Sequence, residues 1–240
     1  MRKFLLFILL LMPFFSDAQQ NIAFSFSADG KPLVLNDFCY TSARGLRYQV
    51  AQVQYFVSNI SIMRPDGTVV RFPGSYHYVD IEIPRTQLWN PGSDFILHSA
   101  DTLIFTFGLD SLANRSYRFR NPPENLMFWP DYLGGGYHYM KTNILYMSAD
   151  GQINAFNCHI GRGQVYGSDG EPVSYIENAF EVRIPAIINA DGNAVIELDV
   201  GRIFDFPIPV LFSDYGGIMN NQEAMGMFCR NIVEAFSVGR

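Results

Sequence analysis

Between Phe105 and Gly161 the chain concentrates side chains that ligate soft and borderline metal ions: Met127, Trp129, His138, Met140, Cys158 and His159. Imidazole, thioether and thiol groups suit soft and borderline metal ions, whereas calcium and magnesium call for clustered carboxylate or carbonyl oxygens. The usual catalytic patterns are missing from the sequence: there is no Gly-x-Ser-x-Gly elbow, no His-Glu-x-x-His pair and no Walker loop. Gly134-Gly135-Gly136 lacks the Lys-Ser/Thr that completes a phosphate loop and reads as a flexible turn into a strand. The chemistry to expect is ligation, so the chain reads as a binding protein and not as an enzyme.

His159 closes an alternating run, Ile153–His159, just before Gly161, where a strand end delivers a side chain to a loop-built site. On a strand Cys158 faces the opposite side, so the two do not share one ion, and Cys158 reads as a small buried hydrophobe. Trp129 precedes Pro130, which disfavours helical geometry, so Met127 and Trp129 are expected on one side of an extended segment. A large apolar surface equally suits Trp129 to anchoring a loop on the core. His138 stands between Tyr137 and Tyr139, and His77 between Tyr76 and Tyr78. Both patterns are as natural for a half-exposed strand as for a ligand. His98 lies in a polar, loop-like stretch and reads as a surface residue. Glu177 and Glu181 would share a face only in a helix, which their β-rich surroundings do not favour.

The elements that must position these residues are short alternating segments: Ile22–Phe26, Tyr48–Met63, Tyr76–Ile83, Leu103–Phe107, Tyr137–Met147, Ile153–His159, Ala179–Ile184 and Ala194–Val200. Asp66-Gly67, Asp150-Gly151 and Asp191-Gly192 separate consecutive runs as hairpin turns do, and Val69–Phe72 is expected to return as a hairpin arm. The pattern predicts an all-β fold, an antiparallel β-sandwich, with one C-terminal helix. That helix is capped by Asn221 and carries Met225, Phe228, Ile232 and Phe236 on one face. Pro207 and Pro209 argue against a central strand over Ile203–Phe212, leaving a packed loop or an edge.

The first residues, Met1-Arg2-Lys3, an apolar run to Phe15 and Ser16-Asp17-Ala18, have the layout of an export signal, so residues 1–18 are expected to be removed. Its apolar run is shorter than the roughly 20 residues that span a bilayer, and no later stretch approaches that length, so no transmembrane segment is expected. Residues 19–240 are then one periplasmic or secreted domain. The full chain's formal net charge of −6 at pH 7 and its scattered basic residues make nucleic acid an unsuitable partner. Cys39, Cys158 and Cys229 permit at most one internal disulfide.

Five pieces in order resemble the MbnP-like family of periplasmic copper-handling proteins, named for a protein encoded beside methanobactin genes. They are Tyr48-Gln-Val50 with Tyr55-Phe-Val-Ser58-Asn59-Ile60; Tyr76-His77-Tyr78-Val79-Asp80; the Met127–Trp129 and Gly136–Lys141 region; His159-Ile160-Gly161; and Asn231-Ile-Val-Glu-Ala-Phe236. The sequence departs from the family pattern where a second Trp is replaced by Asp131 or Tyr132, and at Lys141-Thr142-Asn143-Ile144. The resemblance implies an exported copper-binding protein acting in acquisition or delivery, with His159, Trp129, His77 and His138 as candidate metal ligands. In some members a tryptophan is oxidised to kynurenine by a di-haem partner and helps bind copper, which makes Trp129 the candidate for modification. The other reading is a structural or interaction module in which the same aromatic constellation is simply core.

Overall fold

The computed structural model describes residues 20–237, so the expected export signal lies outside the described residues. Eight principal strands follow in chain order: β1 (Ile22–Ala28), β2 (Arg47–Met63), β3 (Tyr76–Asp80), β4 (Thr102–Phe107), β5 (Met140–Met147), β6 (Ile153–Ile160), β7 (Phe180–Pro185) and β8 (Ala194–Asp199). Two helices close the chain, α1 (Val200–Asp205) and α2 (Gln222–Ala235).

The larger sheet runs β6-β5-β2-β4-β7, all antiparallel, with β3 and the short Tyr40–Thr41 and Val69–Arg71 strands also paired to β2. The Val69–Arg71 arm is the hairpin return that the Asp66-Gly67 turn predicts. The smaller sheet centres on β1, paired to β8, to Lys31–Pro32 and to Leu88–Trp89, with Phe236–Ser237 added outside β8. β1 and β8 run parallel, an exception to the antiparallel rule in an otherwise antiparallel sandwich. The turn at Asp191-Gly192 is locally a hairpin, since the Asn189 N–H donates to the Asn193 carbonyl at 2.9 Å and Ile188 bridges Ala194 antiparallel, but it leads from β7 of one sheet to β8 of the other.

Alternation puts one face of each strand into the space between the sheets. Phe24 and Phe26 of β1 meet Tyr55 of β2 at ring-centroid distances of 6.2 and 6.1 Å, and Phe236 reaches Tyr55 at 5.7 Å. These edge-to-face contacts join the two sheets into one core. β5 is strictly alternating: Met140, Thr142, Ile144 and Tyr146 are buried, while Lys141, Asn143 and Leu145 point to the outer face.

At the C-terminus the Asn221 side chain accepts from the Ala224 N–H and starts α2, whose Met225, Phe228 and Ile232 are buried. Phe236 lies just beyond the helix, in the added strand. The proline segment is a packed loop from Phe206 onward, but Val200–Asp205 is a helix that the sequence pattern does not announce. Asp199 caps it by accepting from the Arg202 N–H. Asn231 of α2 fastens the proline loop: its Nδ2 donates to the Ile203 and Ile208 carbonyls at 2.9 and 2.8 Å, and its Oδ1 accepts from the Ile208 N–H at 3.1 Å. All three cysteines are free.

Candidate metal centre

The site is assembled at the end of β5 and β6, where residues 127–129 lie antiparallel to residues 136–138. The Trp129 N–H donates to the Gly136 carbonyl at 2.9 Å, and the His138 N–H to the Met127 carbonyl at 2.6 Å. Phe128 and Tyr137 form the bridge between them. Met127 ends a short 3-10 helix, Glu124–Met127, so the extended segment begins only at Phe128. The intervening loop turns through Gly134, Gly135 and Gly136, all with positive φ. It is packed, not loose: a Cβ on Gly136 would lie 2.2 Å from Asn114 Oδ1. Asn114 holds the far side, with its Oδ1 accepting from the Tyr137 N–H and its Nδ2 donating to the Tyr139 hydroxyl, both at 2.8 Å.

This pairing sets Trp129 edge-to-face on His138, with ring centroids 4.7 Å apart and planes at 80°. His138 meets His159 in the same manner at 5.1 Å and 86°. Three of the four expected residues therefore form one row, Trp129–His138–His159. Trp129 is fully buried and its Nε1 donates to the Leu133 carbonyl at 3.1 Å. Gly161 lies against the indole, where a Cβ would sit 2.6 Å from Cε3. Glycine two residues after His159 is thus a packing requirement of the tryptophan.

The hydrogen bonds fix one protonated nitrogen on each imidazole, and burial favours the neutral form of both rings. His138 Nδ1 lies 2.9 Å from the Met127 carbonyl, which can only accept, so Nδ1 carries the proton and Nε2 presents its lone pair. That Nε2 is buried and has no hydrogen-bond partner. His159 Nε2 lies 2.8 Å from Asn143 Oδ1, while Asn143 Nδ2 donates to Gln52 Oε1 at 2.9 Å. The amide oxygen therefore accepts from His159, whose Nδ1 keeps its lone pair. Burial, assisted by the Lys141 ammonium and by His159, lowers the His138 pKa to about 3, and burial with Lys141 lowers that of His159 to about 4. Neither ring must lose a proton to bind a metal near neutrality. A ring N–H held by a carbonyl or amide oxygen, with the other nitrogen open, is the outer-shell arrangement that orients ligating histidines.

The fourth residue stands apart. His77, on β3, is stacked between Phe24 and Trp89 at 5.6 and 5.3 Å, with planes within 13° and 5°. Its Nε2 donates to the Thr86 carbonyl at 2.7 Å. The structure thus places His77 in an aromatic stack that reaches the smaller sheet and away from the row formed by the other three. His98 is exposed and lies 2.9 Å from an Arg64 guanidinium nitrogen. Cys158 is fully buried on the face of β6 opposite His159, as alternation requires. Glu177 and Glu181 are separate: the first pairs with Arg162 and accepts from the Tyr139 hydroxyl, the second pairs with Arg183.

Two outer-face neighbours of His159 follow from register and were not singled out by residue type. Counting outward from the Asp150-Gly151 turn opposes Lys141 to His159 and sets Asn143 diagonally beside it. His159 also lines a cavity of about 430 Å³ with Tyr132, Leu133, Asn157 and Met219. Among the described residues no three His, Cys, Asp or Glu side chains converge as a metal-binding group. The row itself brings together two imidazoles, those of His138 and His159.

Residues 17–222 match the family model described as MbnP. Among solved structures, MbnP from Methylosinus trichosporium matches with a TM-score of 0.52 at 16% identity, over 77% of this chain and 76% of that one. At that identity the likeness is one of fold. No curated protein matches the chain.

Proposed function

This chain belongs to the MbnP family, and on that premise we propose that it is an exported protein that binds copper at His138 and His159 for acquisition or delivery. The observation that carries this reading is the buried, unpartnered Nε2 of His138, held open by the Met127 carbonyl on the other ring nitrogen and set against the ring of His159. A buried polar atom without a partner costs about 1–3 kcal/mol, and a ligated ion would remove that cost. Neutral imidazole suits copper in either oxidation state, and copper is here the cargo.

Trp129 has a distinct part in this reading. Its indole is buried, its N–H is engaged, and it supports one face of His138, so the unmodified side chain orients the ligand and does not ligate. Oxidation to kynurenine by a di-haem partner would open the indole and supply an aniline nitrogen, a donor that the intact indole lacks. The intact mass of protein from its native host decides between the two forms.

The second reading, a structural module whose constellation is core, draws on the complete burial of Trp129 and the absence of a convergent three-residue group among the described residues. Copper titration separates the readings. His138→Ala and His159→Ala are expected to weaken binding by about 10- to 100-fold or more, and His98→Ala to leave it unchanged. Equal affinity in the wild type, His138→Ala, His159→Ala and Trp129→Phe, with all four folded, favours the structural module.

A further inference from the structure

We infer that an aromatic pocket on the other face of the 127–138 ribbon binds the C-terminal aromatic residue of a peptide or protein, a role independent of copper. Phe128 and Tyr137 bridge the two arms of the ribbon, so their side chains share one face, and alternation sends Trp129 and His138 to the opposite one. On the Phe128–Tyr137 face lies a cavity of about 510 Å³, lined by Tyr117, Phe119, Arg120, Asn125, Phe128 and Tyr137. Small-ligand sites fall in the range of about 300–1,000 Å³. The rings brace one another: Phe119 and Tyr137 have centroids 4.6 Å apart, Tyr117 and Phe128 5.3 Å, and Phe128 and Tyr137 6.4 Å. The Tyr137 hydroxyl accepts from the Phe119 N–H at 2.7 Å. Tyr117 is 70% exposed, yet its hydroxyl donates to Asp131 at 2.7 Å and its φ of 64° is a value that a bulky residue rarely holds. Its ring is therefore held at the mouth of the pocket and not free to swing.

Two polar groups of the lining say what the occupant carries besides a flat apolar ring. Asn125 Nδ2 donates to the Arg120 carbonyl at 3.3 Å, which orients the amide, and its Oδ1 is buried with no hydrogen-bond partner. Among the described residues the arginine–carboxylate pairs are those of Arg64, Arg162, Arg183 and Arg202, which leaves Arg120 uncompensated at the pocket. The occupant therefore brings one hydrogen-bond donor for the amide oxygen and one anionic group for the guanidinium. A C-terminal Phe, Tyr or Trp combines all three features in one residue: ring, backbone N–H and carboxylate. A free aromatic amino acid fits less well, because its ammonium needs several acceptors and the pocket offers one neutral oxygen beside a cation.

The test is calorimetric titration of the whole protein with N-acetyl-L-phenylalanine and with four analogues that each change one feature. N-acetyl-L-phenylalaninamide masks the carboxylate, N-acetyl-L-alanine deletes the ring, phenylpropionate deletes the N–H, and free L-phenylalanine restores the ammonium. The wild type is expected to bind N-acetyl-L-phenylalanine at least about fivefold more tightly than any of the four. Arg120→Gln, at an exposed position, is expected to bring the acid down to the affinity of its amide and to leave the amide within about twofold. Asn125→Ala is expected to remove the advantage of N-acetyl-L-phenylalanine over phenylpropionate. No binding of N-acetyl-L-phenylalanine, equal binding of the acid and its amide, or an unchanged preference for the acid in Arg120→Gln overturns the proposal. Tighter binding of free L-phenylalanine overturns the assignment to a chain terminus. Copper titration of Arg120→Gln is expected to match the wild type, so that this inference and the copper reading fail separately.

Discussion

Gly161→Ala should be among the most damaging single-methyl additions in this protein, for a reason confined to one contact. Gly161 is not in the left-handed region, so alanine meets no backbone penalty there. Its Cβ would instead lie 2.6 Å from Cε3, 2.7 Å from Cδ2 and 2.8 Å from Cζ3 of Trp129. The indole cannot swing away freely, because it is fully buried and its Nε1 is bonded to the Leu133 carbonyl. Overpacking of this kind costs about 1–3 kcal/mol. For a domain of this size that lowers Tm by roughly 2–12 °C. Since His138 rests on the same indole, copper affinity should fall together with stability. Gly216→Ala is the control: it is also outside the left-handed region, and a Cβ there meets nothing within 4 Å. It should be neutral or stabilise by about 0.4–1 kcal/mol through the unfolded chain. Thermal unfolding with near-ultraviolet circular dichroism reads both. Equal Tm and unchanged aromatic signal in Gly161→Ala and Gly216→Ala would refute the claim that Gly161 seats the tryptophan.

Asn231→Ala removes three hydrogen bonds to the Ile203 and Ile208 backbone, and denaturant unfolding should show a loss of about 2–3 kcal/mol for the buried groups left unpaired. In thiol labelling of the native protein Cys39, which is exposed, should react first. Cys158 and Cys229 should wait for unfolding, since burial raises both thiols, that of Cys229 to about 12. Burial also lowers the His77 pKa, outweighing the bond to the Thr86 carbonyl. The unfolded chain then binds more protons below the ordinary histidine value of about 6.5, so this contribution is intact above that pH and is lost as pH falls. His77→Phe keeps the aromatic stack and should show a shallower acid loss of stability than the wild type, measured by urea unfolding across that range.

Local patterns in the sequence carry much of the architecture. The alternation of Ile153–His159 correctly separates Cys158 from His159, the Asp150-Gly151 turn sets the β5–β6 register, and Asn221 with the Met225–Ile232 spacing locates α2. What sequence reading misses is non-local. The parallel β1–β8 pair joins the two ends of the domain and leaves no local signature. α1 has only six residues and runs straight into the proline loop, too short for periodicity to register. His77 and His138 have identical tyrosine flanks, yet their surroundings differ because the partners come from distant segments. Phe24 and Trp89 sandwich His77, whereas Trp129 and His159 border His138.

The central claim is that His138 and His159 hold one copper ion between them, and anomalous diffraction at the copper edge from copper-loaded crystals tests it most directly. The account predicts a single strong peak within bonding distance of His138 Nε2 and His159 Nδ1. Copper located instead at His77 or His98, or no peak beside the His138–His159 pair in protein that is saturated with copper in solution, would contradict it.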